Sequence, residues 1–136
     1  MVIRPKPEII HPVLGPIRFD NGQPHENVGG SIETPPKWVG RPNGWHDGDL
    51  EVLIACAADG PCQLSVERAV FVFRDLKKIE QQARSMSQQS SLDVAWLDCM
   101  ETTCVISLTD GRNAYILWEA TLDPENNIVK LTEGRW

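Results

Sequence analysis

Between residues 65 and 89 apolar side chains recur every three or four positions, at Val66, Ala69, Val70, Phe73, Leu76, Ile79, Ala83 and Met86. That spacing is the 3.6-residue period of a helix with one buried stripe, and it predicts a single long amphipathic helix. Arg74, Lys78, Gln81, Gln82, Ser85 and Gln89 fall on the opposite, solvated face. Ser65 is placed to cap the first turn with its hydroxyl, and Glu67 suits the positive end of the helix dipole. Gly60-Pro61 stops whatever precedes. Each large stripe residue contributes roughly 1.5–3 kcal/mol when buried, so the stripe requires a broad apolar partner. Phe73, at mid-stripe, is expected to be deeply buried.

The flanking segments read as strands, which makes the partner a sheet. Residues 13–20 form an extended run closed by the Asn21-Gly22 turn signal, with Pro16 marking an edge or a bulge. A weak strand covers 30–33. Residues 34–49, TPPKWVGRPNGWHDGD, read as a long turn-rich loop. Residues 50–57 are apolar on both faces and read as a central strand. After the helix, 94–97 reads as a short strand or a second helical piece, the strand preferred, and 103–109 as a clearer strand with Cys104, Ile106 and Leu108 on one face. Asp110-Gly111 is a hairpin signal, 114–122 a strand, 123–127 a turn and 128–132 a returning strand. One strand group before a helix and another after it predicts an α+β fold: an antiparallel sheet of about five or six strands with one long helix packed on one face. The whole chain, 1–136, reads as one domain, with a Pro-rich extended segment over 1–12.

Pro12-Val13-Leu14-Gly15-Pro16 before a turn, Trp38-Val39-Gly40, the long helix with Ala83-Arg84 near its end, and the closing strand, Asp-Gly turn, strand, turn and strand together form a pattern. It resembles a group of small uncharacterised bacterial proteins, some of them immunity-protein-like. The resemblance spans most of the chain and implies an accessory protein, of a kind often carried on mobile genes, that neutralises a toxin. Where that group carries a Gly-His pair before its last strand, this chain has Trp118-Glu119-Ala120.

Composition narrows the function classes. The chain is 41% hydrophobic and 24% charged, with a formal net charge of −6. No cluster of Lys and Arg is available to neutralise phosphates, which argues against nucleic acid and against an anionic membrane surface, and leaves a basic protein partner open. Residues 1–12 contain no apolar stretch of the ~7–15 residues that a signal peptide needs, and the longest apolar run, 52–58, is far short of a membrane span. With four cysteines and no secretory signal, reduced thiols in a cytoplasm are expected.

The candidates for chemistry are few. Cys56 and Cys62, and Cys99 and Cys104, lack the tight knuckle spacing of zinc sites, so buried thiols and no bound metal or cofactor are expected. His46-Asp47-Gly48-Asp49 sets a histidine beside carboxylates, a pattern that serves a metal or a base, and equally a tight turn into the next strand. No phosphate-cradling glycine motif or nucleophile elbow is present. Five tryptophans stand against one tyrosine. Trp38 and Trp45 either fold back over the sheet or form an exposed contact patch with Arg41, His46 and Asp47. These five residues are the expected binding site of a non-enzymatic interaction module, acting on a protein partner or a second copy of the chain. The alternative is a small enzyme or small-molecule binder using a cleft between helix and sheet.

Overall fold

A computed structural model describes residues 8–20, 24–27, 30–33, 36–43, 45 and 50–135. The elements in chain order are β1 (Ile9–His11), β2 (Gly15–Asp20), β3 (Pro24–Asn27), β4 (Gly30–Glu33), β5 (Lys37–Gly40), β6 (Glu51–Ile54), β7 (Cys56–Ala57), β8 (Gly60–Pro61), α1 (Gln63–Arg74), α2 (Leu76–Ser87), β9 (Leu92–Cys99), β10 (Cys104–Asp110), β11 (Asn113–Leu122) and β12 (Ile128–Arg135). Eight strands form one sheet in the order β1-β2-β5-β6-β9-β10-β11-β12, and β3–β4 and β7–β8 are separate two-stranded hairpins. Neighbours in the large sheet are antiparallel except β6 and β9, which run parallel. An eight-stranded mixed sheet with two short helices therefore replaces the expected five- or six-stranded antiparallel sheet with one long helix.

The parallel pair has a direct cause. A hairpin reverses the chain, but a helical crossover carries it back along the sheet to the end where it started, so the next strand runs the same way. The chain leaves β6 at Ile54, returns through α1 and α2, and re-enters at Leu92. The extra strands lie in segments read as irregular. β1 lies in the Pro-rich start, and β5 takes Trp38 and Val39 out of the supposed loop.

The helix breaks at Asp75, whose φ of −100° and ψ of 9° depart from helical values. Its N–H donates to the Val72 carbonyl at 3.1 Å, one residue short of the α-helical partner Phe71. The freed Phe71 carbonyl accepts a hydrogen bond from Asn126 Nδ2 at 3.2 Å, and Asp75 Oδ2 accepts a second at 3.1 Å. The β11–β12 turn thus takes the place of one helical bond. Beside it, Arg68 Nη1 donates to the Pro124 carbonyl at 2.8 Å and Nη2 to the Asp123 carbonyl.

Both helices cover the same sheet face. Alternation along each strand sends Ile17, Trp38, Val52, Ile54, Leu97, Cys99, Cys104, Ile106, Leu108, Ala120 and Leu122 into one core with Val66, Ala69, Val72, Leu76, Ile79 and Ala83. Cys104, Ile106 and Leu108 share that face, as the sequence pattern requires. Phe73 is half-buried at the margin, and Met86, expected in the stripe, is exposed. Ser65 caps nothing: α1 begins two residues earlier, and the buried Ser65 Oγ accepts from Ala55 N–H at 3.0 Å and donates to the Cys99 carbonyl. It pins the helix to the ends of β6 and β9. At the far end, Gly15 has φ +68°, and a Cβ there would stand 2.5 Å from the Arg41 carbonyl oxygen, so only glycine fits this turn.

Candidate interaction surface

The pairings place Trp38 opposite Ile54, Ile54 beside Cys99, Cys99 opposite Cys104, Cys104 opposite Leu122 and Leu122 opposite Ile128. This row crosses the sheet, and among the connections made wholly of described residues three rise from it at one end: 55–62, 100–103 and 123–127. They carry Asp59, Glu101, Asp123 and Glu125, and no Lys or Arg. The two helices have the opposite character. Five cations and three carboxylates give 63–87 a formal charge of +2, which leaves −8 on the rest of a chain whose net charge is −6.

Each connection is held in shape. Asp123 Oδ1 accepts the N–H groups of Asn127 at 2.8 Å and Glu125 at 2.9 Å, an arrangement that fixes the turn. The Asn127 and Glu125 N–H groups, the Asn127 side chain and the nearby Arg68 charge hold the Asp123 carboxyl below the usual carboxylate range. Asn126 takes the left-handed φ of 67° that closes the turn. Met100 N–H donates to the Thr103 carbonyl at 2.9 Å, closing the β9–β10 turn. Cys62 Sγ lies 3.6 Å from Glu101 Oε1, joining that turn to the start of α1. Asp59, Glu101 and Glu125 are exposed, and among them stand the apolar Met100, 47% exposed, and Leu64, 54% exposed. A rigid acidic rim with apolar side chains suits contact with a cationic, partly apolar surface.

Of the residues singled out from sequence, Trp38, Arg41 and Trp45 are described. Trp38 is 2% exposed and Trp45 5%, and both belong to the core. Trp38 packs edge-on against Phe19 with ring centroids 5.5 Å apart. The exposed two-indole patch is therefore replaced by buried side chains. Arg41 is exposed at the other end of the sheet, 3.8 Å from the Glu51 carboxylate. His46 and Asp47 lie outside the described residues. The acidic connections could have been found in the sequence only as three turn segments that each contain a carboxylate and lack a cation. Their meeting at one end follows from strand order.

Among the described residues, the helices and the sheet share one apolar core. A surface hollow of about 420 Å³ lies on the flank of α1, lined by His11, Val13, Glu67, Phe71 and Arg74 among others. His11 Nδ1 accepts the N–H groups of Val13 at 3.0 Å and Leu14 at 3.1 Å, which places the proton of the neutral ring on Nε2. Among the described residues, no three of His, Cys, Asp or Glu come together to hold a metal ion, and no helix is long and apolar enough to cross a membrane. Comparison with protein-family models, with curated proteins and with solved structures finds no match for the chain.

Proposed function

We propose that this protein is a non-enzymatic binding module that recognises a basic protein partner through the acidic end of its sheet. One observation carries the reading: Asp59, Glu101, Asp123 and Glu125 share that end with no Lys or Arg in the three connections, while the helices are net positive. Such separation of charge steers a cationic surface to one end of the molecule and turns it away from the helices. Met100 and Leu64 supply apolar contact inside the rim, where water is displaced on binding. A toxin neutralised by an immunity-type protein is the partner class that the sequence resemblance implies, and a basic one is the kind that this charge distribution fits.

The test uses an arginine- and lysine-rich peptide as probe, with an acidic peptide of equal length as control. Two-dimensional amide NMR should show shifts confined to 55–64, 99–104 and 123–127, and only with the basic probe. Glu101→Lys combined with Glu125→Lys changes exposed side chains, so it should keep the melting temperature and abolish those shifts. Shifts centred on α1 or α2, or unchanged in the double variant, would overturn the reading.

A further inference from the structure

Cys99 closes β9 and Cys104 opens β10, directly opposite each other. The Met100–Thr103 hydrogen bond makes the pair beyond it, 99 and 104, a non-hydrogen-bonded one, because the two kinds alternate along an antiparallel ladder. In such pairs the Cα atoms stand about 4.5 Å apart and the side chains are closest, within the roughly 4.4–6.8 Å that a disulfide spans. Both side chains point into the core, both are 0% exposed, and their sulfurs lie 2.8 Å apart. Two thiols held this way need no backbone movement to be joined.

We propose that Cys99 and Cys104 are a redox pair that a small-molecule disulfide of the glutathione type oxidises to a reversible cross-strand disulfide. One thiol loses its proton to solvent, and its sulfur attacks the small disulfide. A mixed disulfide forms and one small thiolate leaves, taking up a proton. The second protein thiol then loses its proton and attacks the protein sulfur of the mixed disulfide, forming the Cys99–Cys104 bond and expelling the second small thiol. The protein pair gives up two electrons and two protons, and the small disulfide becomes two thiols.

The hydrogen bond to Cys104 and burial both push the Cys99 thiol far above the usual range, so the closed hairpin reacts slowly. Reaction proceeds through local opening of the hairpin end, where 100–103 is exposed and one backbone bond closes the turn. Once formed, the bond holds the end of β9 to β10 beneath the turn that carries Glu101.

The test uses the unmodified chain in glutathione mixtures of rising oxidised fraction, followed by unfolding in an alkylating agent and tryptic digestion. No Lys or Arg lies between Arg84 and Arg112, so one peptide, 85–112, holds both cysteines and neither Cys56 nor Cys62. The expected product is that peptide lighter by two hydrogens and unalkylated, restored to two alkylated thiols by dithiothreitol. Two alkylated thiols at every mixture, or glutathione still attached at the end point, would overturn the proposal. Cys99→Ala and Cys104→Ala should each abolish the lighter peptide, and its survival in either variant would count against the assignment equally.

Discussion

Asn126 shows how much one polar side chain can hold. It is buried, it accepts a left-handed φ, and its amide joins Phe71 and Asp75 of the helix layer to the β11–β12 turn. Asn126→Ala loses both hydrogen bonds and strains the backbone, and should cost about 2–3 kcal/mol in a urea melt. Asn126→Gly loses the same bonds without the strain, and should recover about 1 kcal/mol of that. Equal losses would mean that the left-handed φ costs nothing here. Two carboxylates contribute to the acid behaviour. Asp110 accepts from Ser91 Oγ at 2.5 Å and from Arg112 N–H at 2.9 Å, and these bonds and the Arg112 charge hold its pKa down, as the turn amides do for Asp123. A carboxyl with a depressed folded pKa stabilises the fold above its unfolded value, near 3.9, and loses that contribution as pH falls through the folded one. The urea midpoint should therefore be level above about pH 5 and fall below about pH 4. Asp110→Asn should make the fall shallower, and an equally steep fall in that variant would remove Asp110 from the explanation.

At the scale of the element, the helix stripe was legible and the helix continuity was not. Period 3.6 identifies Ala69, Leu76, Ile79 and Ala83 as core positions, and all four are fully buried. The same period makes Phe73 central, yet the break at Asp75 leaves it half-buried while Val72 turns fully inward. Leu76→Ala should accordingly cost about 3 kcal/mol by urea melt, and Phe73→Ala clearly less. The reverse order would mean that the helix runs straight through Asp75. Nothing within 65–89 signals the break, because the group that stabilises it, Asn126, lies 51 residues beyond Asp75.

For the whole molecule, the parallel β6–β9 contact joins the N-terminal strands β1, β2, β5 and β6 to the C-terminal meander. The middles of central strands covered by the helices open only with the whole sheet, whereas strand ends and an edge strand of three residues can fray alone. In native-state hydrogen exchange, amides in the middle of β6, β9 and β10 should therefore be the slowest, and those of β1 the fastest in the large sheet. Rapid exchange in β6 with full protection in β10 would show that the two halves open independently.

By itself the sequence determined the elements with strong periodic signals: the stripe of α1 and α2, and the meander from Cys104 to the last strand with its two turns. Those follow from neighbours a few residues apart, whose alternation and turn chemistry are local. It also determined the charge balance and the absence of a basic cluster, since these are sums over residues. Tertiary structure decided the rest. Trp38 reads as a loop residue among prolines and glycines, and becomes core because β5 pairs with β2 and β6 on either side of it. Ser65 reads as a cap, and becomes a tie because the ends of β6 and β9 arrive beside it. Asp59, Glu101, Asp123 and Glu125 are ordinary turn residues until strand order brings their three connections to one end. Cys99 and Cys104 read only as a pair too widely spaced for a zinc knuckle until the hairpin register sets them face to face. Each of these depends on which strands become neighbours, and that is fixed by how the helices and the sheet jointly bury apolar surface, an energy summed over contacts far apart in the chain.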